Sequence, residues 1–174
     1  MEKRVNIAKD HKGNNIVIIN DIRFKGRQNI NWRDVEEYLR EYVGKCYEIT
    51  ESSEKVYIGT DLPDEYTGSQ DTKKLKGASA KAKANAVQGI GEIIQIAKNK
   101  SYAPNYERKH NRNAKYGWYR YDTRFAIPVC DDDGKIVGYN IFDARMIVRH
   151  ANDDKLYLYD LLRIKKETSK PHEQ

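Results

Sequence analysis

At 174 residues with a formal charge of +6 and a pI of about 9.1, the chain has the length of one domain with a sizeable core and a bias toward anionic partners. Its 39% hydrophobic content and mean hydropathy of -0.91 leave no room for an apolar membrane-spanning run, and Met1 to Lys12 is polar and basic rather than a secretory leader, so a cytoplasmic setting is expected. Cys46 and Cys130, a lone pair in such a chain, are expected to be reduced, buried thiols.

In chain order, the apolar run Asn15 to Phe24 reads as a buried strand that turns at Gly26. Asn31 is a helix cap with Asp34 in the first turn; Val35, Tyr38, Leu39, Tyr42 and Val43 form the apolar stripe, and Gly44 stops it. Short strands follow around Cys46–Ile49 and Val56–Ile58, with Ser52 and Ser53 as turn material. Leu62 to Ser69 breaks the strand pattern and is the best place for an internal subdivision of a single 1–174 domain, into a βαββ portion at 1–62 and the remainder at 63–174. From Lys73 to Lys100 the alanine-rich spacing predicts helix, weakened at Gly77, Gly89 and Gly91. Ser101 to Tyr116 is polar and irregular, and Thr168 to Gln174 reads as a frayed tail.

The C-terminal part carries the clearest signal. Between Trp118 and Val129 a period of two puts Tyr119, Tyr121, Phe125, Ile127 and Val129 on one face and Arg120, Asp122 and Arg124 on the other. Asp131 to Gly134 supplies a hairpin turn, after which Ile136 to His150 sets Phe142, Ala144, Met146 and Val148 against Asp143, Arg145 and Arg149. A third strand runs from Lys155 to Lys165. The expected fold is α+β, with helices packed on an antiparallel sheet that ends in a three-stranded meander.

Charge is unevenly spread. Lys73 to Arg124 holds thirteen basic residues against three acidic ones, a local net of +10 that leaves -4 for the rest of the chain. Such a segment suits a phosphate backbone, although a solvated lysine-rich helix gives the same count. Side chains on adjacent strands stand about 5 Å apart, so Arg120, Arg124, Arg145 and Arg149 could converge on one phosphodiester; they could equally be paired with Asp122, Asp143 and Asp160. Cleavage of RNA through its own 2′-hydroxyl needs a base, an acid and cations on the phosphoryl oxygens, and no metal or other cofactor. His110, His150, Arg124 and Tyr121 are the catalytic candidates, and Lys81, Lys83, Arg108, Lys109, Arg112, Lys115, Arg120 and Arg149 the nucleic-acid-binding ones. Gly89-Ile90-Gly91 lacks a phosphate loop's Lys-Ser/Thr, and the four histidines have no metal-ligand spacing.

Several segments carry a resemblance. Asp64-Glu65-Tyr66-Thr67-Gly68, Leu75 to Ala78 with Ala80 to Ala86, Gly117 to Ala126, Val148-Arg149-His150, Leu156 to Asp160 and Ile164 to Glu167 resemble a family from phages and bacterial mobile elements, the third type of large polyvalent protein-associated domain. They also resemble the broader barnase, EndoU, colicin and RelE-like nuclease class. The resemblance implies an N-terminal helical portion on an antiparallel sheet whose concave face binds RNA rather than DNA, away from membranes, with an inhibitory or host protein as a further partner. Asp143 stands where similar sequences more often carry Ser or His. A carboxylate there repels phosphate, which favours a second reading: a non-enzymatic accessory or antidefence factor that occupies nucleic acid or nucleoprotein.

Overall fold

The computed structural model describes residues 4–26, 29–103 and 114–167. The elements are β1 (Val5–Lys9), β2 (Asn15–Ile19), α1 (Trp32–Arg40), β3 (Cys46–Glu48), β4 (Lys55–Tyr57), α2 (Leu62–Gly68), α3 (Gln70–Lys74), α4 (Gly77–Ala86), a 3-10 turn at Val87–Gly89, α5 (Ile90–Gln95), β5 (Lys98–Tyr102), β6 (Trp118–Cys130), β7 (Ile136–His150) and β8 (Leu156–Lys166). The fold is α+β, and no described helix is long and apolar enough to cross a membrane.

The sheet has eight strands in the order β1-β2-β6-β7-β8-β4-β3, with β5 also pairing β6. It is mixed, not antiparallel. Strands β6, β7 and β8 pair antiparallel in succession, but β2 runs parallel to β6 and β4 parallel to β8. These two parallel contacts join segments about a hundred residues apart, so no turn residue or local period announces them. One edge of β6 is shared: Tyr119, Arg120 and Asp122 pair with β5, whereas Phe125 and Ala126 pair with β2.

Local chemistry explains the element boundaries. The Asn31 side chain accepts the Arg33 N–H at the start of α1, and Val35 and Leu39 from its apolar stripe are buried. Strand β2 ends at Ile19 rather than running to Phe24, because beyond Asn20 the backbone groups at Asp21 and Phe24 bond to side chains instead of a neighbouring strand. Asn85 of α4 accepts the Phe24 N–H and donates to the Phe24 carbonyl, while Gln88 donates to the carbonyl of Asp21. Leu62 to Gly68 forms a helix with Pro63 in its first turn, where the missing N–H costs nothing. The expected long helix is broken into α3, α4 and α5, and its last residues become β5. At Gly91 a Cβ would lie 2.4 Å from the Tyr47 ring, so this glycine permits α5 to approach β3.

A single large core joins the N-terminal and C-terminal parts. Val17, Leu39, Val56, Tyr66, Ala84 and Ile90 pack with Tyr121, Phe125, Phe142, Met146, Leu158 and Leu161. A smaller cluster of Trp118, Ile147 and Tyr159 lies on the opposite face of β6 and β7, with the Trp118 and Tyr159 rings edge to face at 4.8 Å. Cys46 and Cys130 are free and exposed, which corrects the expectation of buried thiols: each lies near an end of a strand, outside both cores.

Within the helical layer lies a buried ion pair. Lys83 of α4 is 0% exposed, with its Nζ 2.8 Å from Asp160 of β8, 3.3 Å from Asp71 of α3 and 5.0 Å from the Tyr66 ring centroid. Burial pushes the Asp160 carboxyl up to about 6 even though Lys83 opposes that rise. Removing one partner leaves a charge without compensation. Lys83→Met should therefore cost about 3–5 kcal/mol in urea unfolding, and the double variant Lys83→Met/Asp160→Leu should recover most of it. A loss below about 1 kcal/mol in the single variant would show that the pair does not tie α4 to β8.

Candidate functional site

Two recesses on the molecule hold Arg124 and His150, two of the side chains that sequence reasoning singles out. The first is a groove of about 620 Å³ on the charged face of the long strands, lined by Lys98, Asp122, Arg124, Asp143, Arg145, Arg163 and Lys165 together with residues 13–15 of the β1–β2 turn. Register arranges the charges in rows. Lys98, Asp122 and Arg145 lie directly across β5, β6 and β7, and Arg124, Asp143 and Lys165 lie across β6, β7 and β8. Each row places an acid between two bases, and this alternation follows from the period of two in three strands.

Arg124 is the most heavily engaged cation. Its guanidinium donates at 2.8 Å to Asp10 and at 2.8 and 3.2 Å to the two oxygens of Glu167, and it lies 3.7 Å from Asp143. Both principal partners come from distant chain segments, the β1–β2 turn and the residue after β8. Backbone N–H donation from Asn14, followed by the Arg124 interaction, holds the Asp10 carboxyl down to about 2, against partial desolvation. Burial followed by the neighbouring Glu167 pushes Asp143 up to about 6, and Glu167 itself is lowered, burial notwithstanding, by hydrogen bonds from Arg124 and Asp143. Of the two carboxyls, Asp143 is the later to ionise as pH rises.

The second recess is a cleft of about 470 Å³ at the far end of β6 and β7, lined by Glu54, Lys55 and Tyr57 of the β3–β4 hairpin, Lys100 of β5, Tyr119, and His150, Asp154 and Lys155 around the β7–β8 turn. His150 Nε2 lies 2.7 Å from Asp154, so that in the neutral imidazole Nε2–H donates to the carboxylate and Nδ1 is the acceptor. Tyr rings flank the imidazole: the Tyr116 centroid is 5.0 Å away and the Tyr119 centroid 6.4 Å. Lys100 sits 4.4 Å over the Tyr119 ring and 2.6 Å from Glu54, and Lys115 lies 5.4 Å over Tyr116. Tyr116 is 47% exposed, an open aromatic face beside a histidine and several ammonium groups.

The predicted site residues are not brought together. Arg124 stands opposite Asp143, and His150 is seven residues further along β7, or roughly 23 Å at about 3.3 Å per residue. No single phosphate can touch both. Tyr121 is 1% exposed in the core, where its hydroxyl donates to Glu54 at 2.9 Å; burial and that acceptor push its pKa up, so it is corrected from catalytic candidate to packing residue. Lys83, fully buried against Asp160, is likewise corrected from nucleic-acid contact to internal ion pair. Arg149 is committed to Asp61 at 3.3 Å and stacks 4.5 Å from the Tyr157 ring, and Arg120 donates to Ser101 at 2.9 Å. Lys81 lines neither recess, while Lys115 flanks the cleft. Arg108, Lys109, His110 and Arg112 lie outside the described residues.

Residues that sequence reasoning passed over are Asp154, Tyr116, Tyr119, Lys100 and Lys155. A signal existed for one pair: His150 and Asp154 are four apart across a predicted turn, within reach of each other. Comparison of the chain with protein-family models, with curated proteins and with solved structures returns no match, so the resemblance to the polyvalent-protein family rests on its own motifs.

The shifts are measurable by carboxyl-carbon NMR, which should find Asp143 titrating near 6 and Asp10 near 2. A raised folded pKa means that the Asp143 contribution to stability declines as pH rises from about 4 to about 6. The lowered Asp10 value means that its contribution, complete above about 4, is lost as pH falls through about 2. Arg124→Gln should bring Asp10 back toward its ordinary value; an Asp10 that stays near 2 would remove Arg124 from this account.

Proposed function

We propose that this protein binds RNA at the His150 cleft, with unpaired nucleotides stacking on Tyr116 and Tyr119 and the backbone running past Lys100, Lys115 and Lys155. The observation that supports this most strongly is the grouping of two tyrosine rings, a carboxylate-oriented imidazole and a rim of ammonium groups around one open recess. Every base has a π-face, so stacking gives affinity with little dependence on sequence. The lysines add a phosphate term that weakens with salt. The acceptor nitrogen of His150 offers a partner to a ribose 2′-hydroxyl, the group that separates RNA from DNA.

The family resemblance extends this reading to a phage or mobile-element setting, and leaves cleavage as its second part. His150 is the candidate base for a metal-independent attack by the 2′-hydroxyl, oriented by Asp154 as a base must be. Arg124 is too far along the sheet to serve that reaction, so the described geometry favours binding over cleavage.

Fluorescence anisotropy with a labelled single-stranded oligouridine tests the binding. Affinity should fall as salt rises and exceed that for the matching oligodeoxyuridine, and Tyr116→Ala should weaken it about tenfold, since one base stack contributes roughly 1–3 kcal/mol. Equal binding by Tyr116→Ala and Tyr119→Ala variants would reject the cleft as the site. With chelator present, 2′,3′-cyclic phosphate ends that disappear in His150→Ala would establish the cleavage step; intact RNA retained with salt-sensitive affinity would establish the binder alone.

A further inference from the structure

The sheet ends in β1 on one side and β3 on the other, and the two edges differ. An exposed edge is a row of N–H and C=O groups that can pair with another strand, so edges are commonly blunted by shortness, charge, proline or a bulge. Strand β3 is three residues long and ends in Glu48, which blunts it. Strand β1 has neither proline nor bulge. Its five residues pair with β2 in unbroken register, and Ile7 at its centre is 42% exposed.

Hydrogen-bond parity fixes which backbone groups face outward. The Arg4 carbonyl accepts the Asn20 N–H at 2.7 Å, and the Asp10 N–H donates to the Asn14 carbonyl at 2.9 Å, so the even-numbered residues from Arg4 to Asp10 turn their backbone toward β2. In an antiparallel pair such bonds alternate along the strand, which directs the N–H and C=O of Val5, Ile7 and Lys9 away from β2. Among the described residues no strand lies on that side.

Antiparallel pairing with a second β1 engages all three outward residues in one register alone, with Ile7 opposite Ile7 and Val5 opposite Lys9, for about six inter-strand bonds. The same register sets Arg4 opposite Asp10 on both sides of the axis. These charges fit. The Arg4 side chain is 55% exposed with Asp21 only at 3.9 Å, whereas Asp10 belongs, with Asp143 and Glu167, to a cluster of carboxyls around the one guanidinium of Arg124. A second guanidinium beside Asp10 offsets that surplus of negative charge.

We infer that β1 is a self-association edge, at which two copies of this chain join antiparallel about a two-fold axis at Ile7 and form one continuous sheet. The contact is isologous and closed, so it makes a dimer rather than a fibre. It does not depend on RNA binding at the His150 cleft, whose lining takes no residue from β1.

Sedimentation velocity of the full chain over a concentration series tests this, with crosslinking to read the register. The chain should shift from monomer toward dimer by roughly 100 μM, as expected of a small interface. Ile7→Lys and Ile7→Pro should each weaken association at least about tenfold with circular dichroism unchanged, because the Ile7 N–H faces away from β2. Arg4→Glu should weaken it as well. With Cys46 and Cys130 replaced by serine, a short bismaleimide should join Ile7→Cys to itself. Val5→Cys, about 13 Å along the strand from its counterpart, should be joined only when mixed with Lys9→Cys. A monomer at every concentration would overturn the inference, as would a dimer that persists in both Ile7 variants or one that crosslinks through Val5→Cys alone.

Discussion

The register of β6 on β7 is the constraint on which everything else depends. The two strands face each other from Trp118 opposite Arg149 to Cys130 opposite Ile136, and a slip of one residue would send every side chain of β6 to the other face. With this register Tyr121, Phe125 and Ile127 enter the core, while Asp122 and Arg124 meet Arg145 and Asp143 across the strand gap. The apolar face holds the register by burial, and complementary charges on the other face agree with it. Gly134, at φ +81°, turns the hairpin that begins this pairing.

From that central pair the molecule builds outward in two directions. Toward the core, α1, α4 and α5 cover the apolar face, and Lys83 reaches Asp160 through the helical layer. Toward solvent, the part of the charged face around Arg124 and Arg145 stays open and forms the groove, while the end at Trp118 and Tyr159 is covered. The two recesses thus have different origins. The groove is a product of strand alternation, whereas the His150 cleft assembles where strand ends, a hairpin and a turn meet. Its residues come from the β3–β4 hairpin, β5, β6 and the β7–β8 turn, so it depends on the mixed topology that brings β4 beside β8.

How much of this could be read from the residues follows the range of the interactions. Period-two alternation in 118–150 was legible because it is local, as was the Asn31 cap that opens α1. Strands β1 and β5 were not: β1 is an edge strand with no buried face, and β5 continues a stretch whose alanine-rich spacing reads as helix. The convergence of arginines failed for a physical reason: sharing a face does not mean sharing a place along the strand, and Arg124 and Arg149 stand opposite positions six residues apart on that pairing. Lys83 shows the opposite limit. In the sequence it looks like any lysine of a basic helix, and only Asp160, more than seventy residues later, makes its burial tolerable. Asp10 and Glu167 reach Arg124 from opposite ends of the chain, 114 and 43 residues away, and no spacing rule connects them.

We propose RNA as the occupant of the aromatic cleft and not of the charged groove. Photocrosslinking with a 4-thiouridine oligonucleotide, read out by mass spectrometry of the adducts, tests this division directly. Adducts should fall on Tyr116, Tyr119 and residues of the β7–β8 turn. Adducts confined to the row of Arg124, Asp143 and Lys165, with none at the cleft, would contradict it.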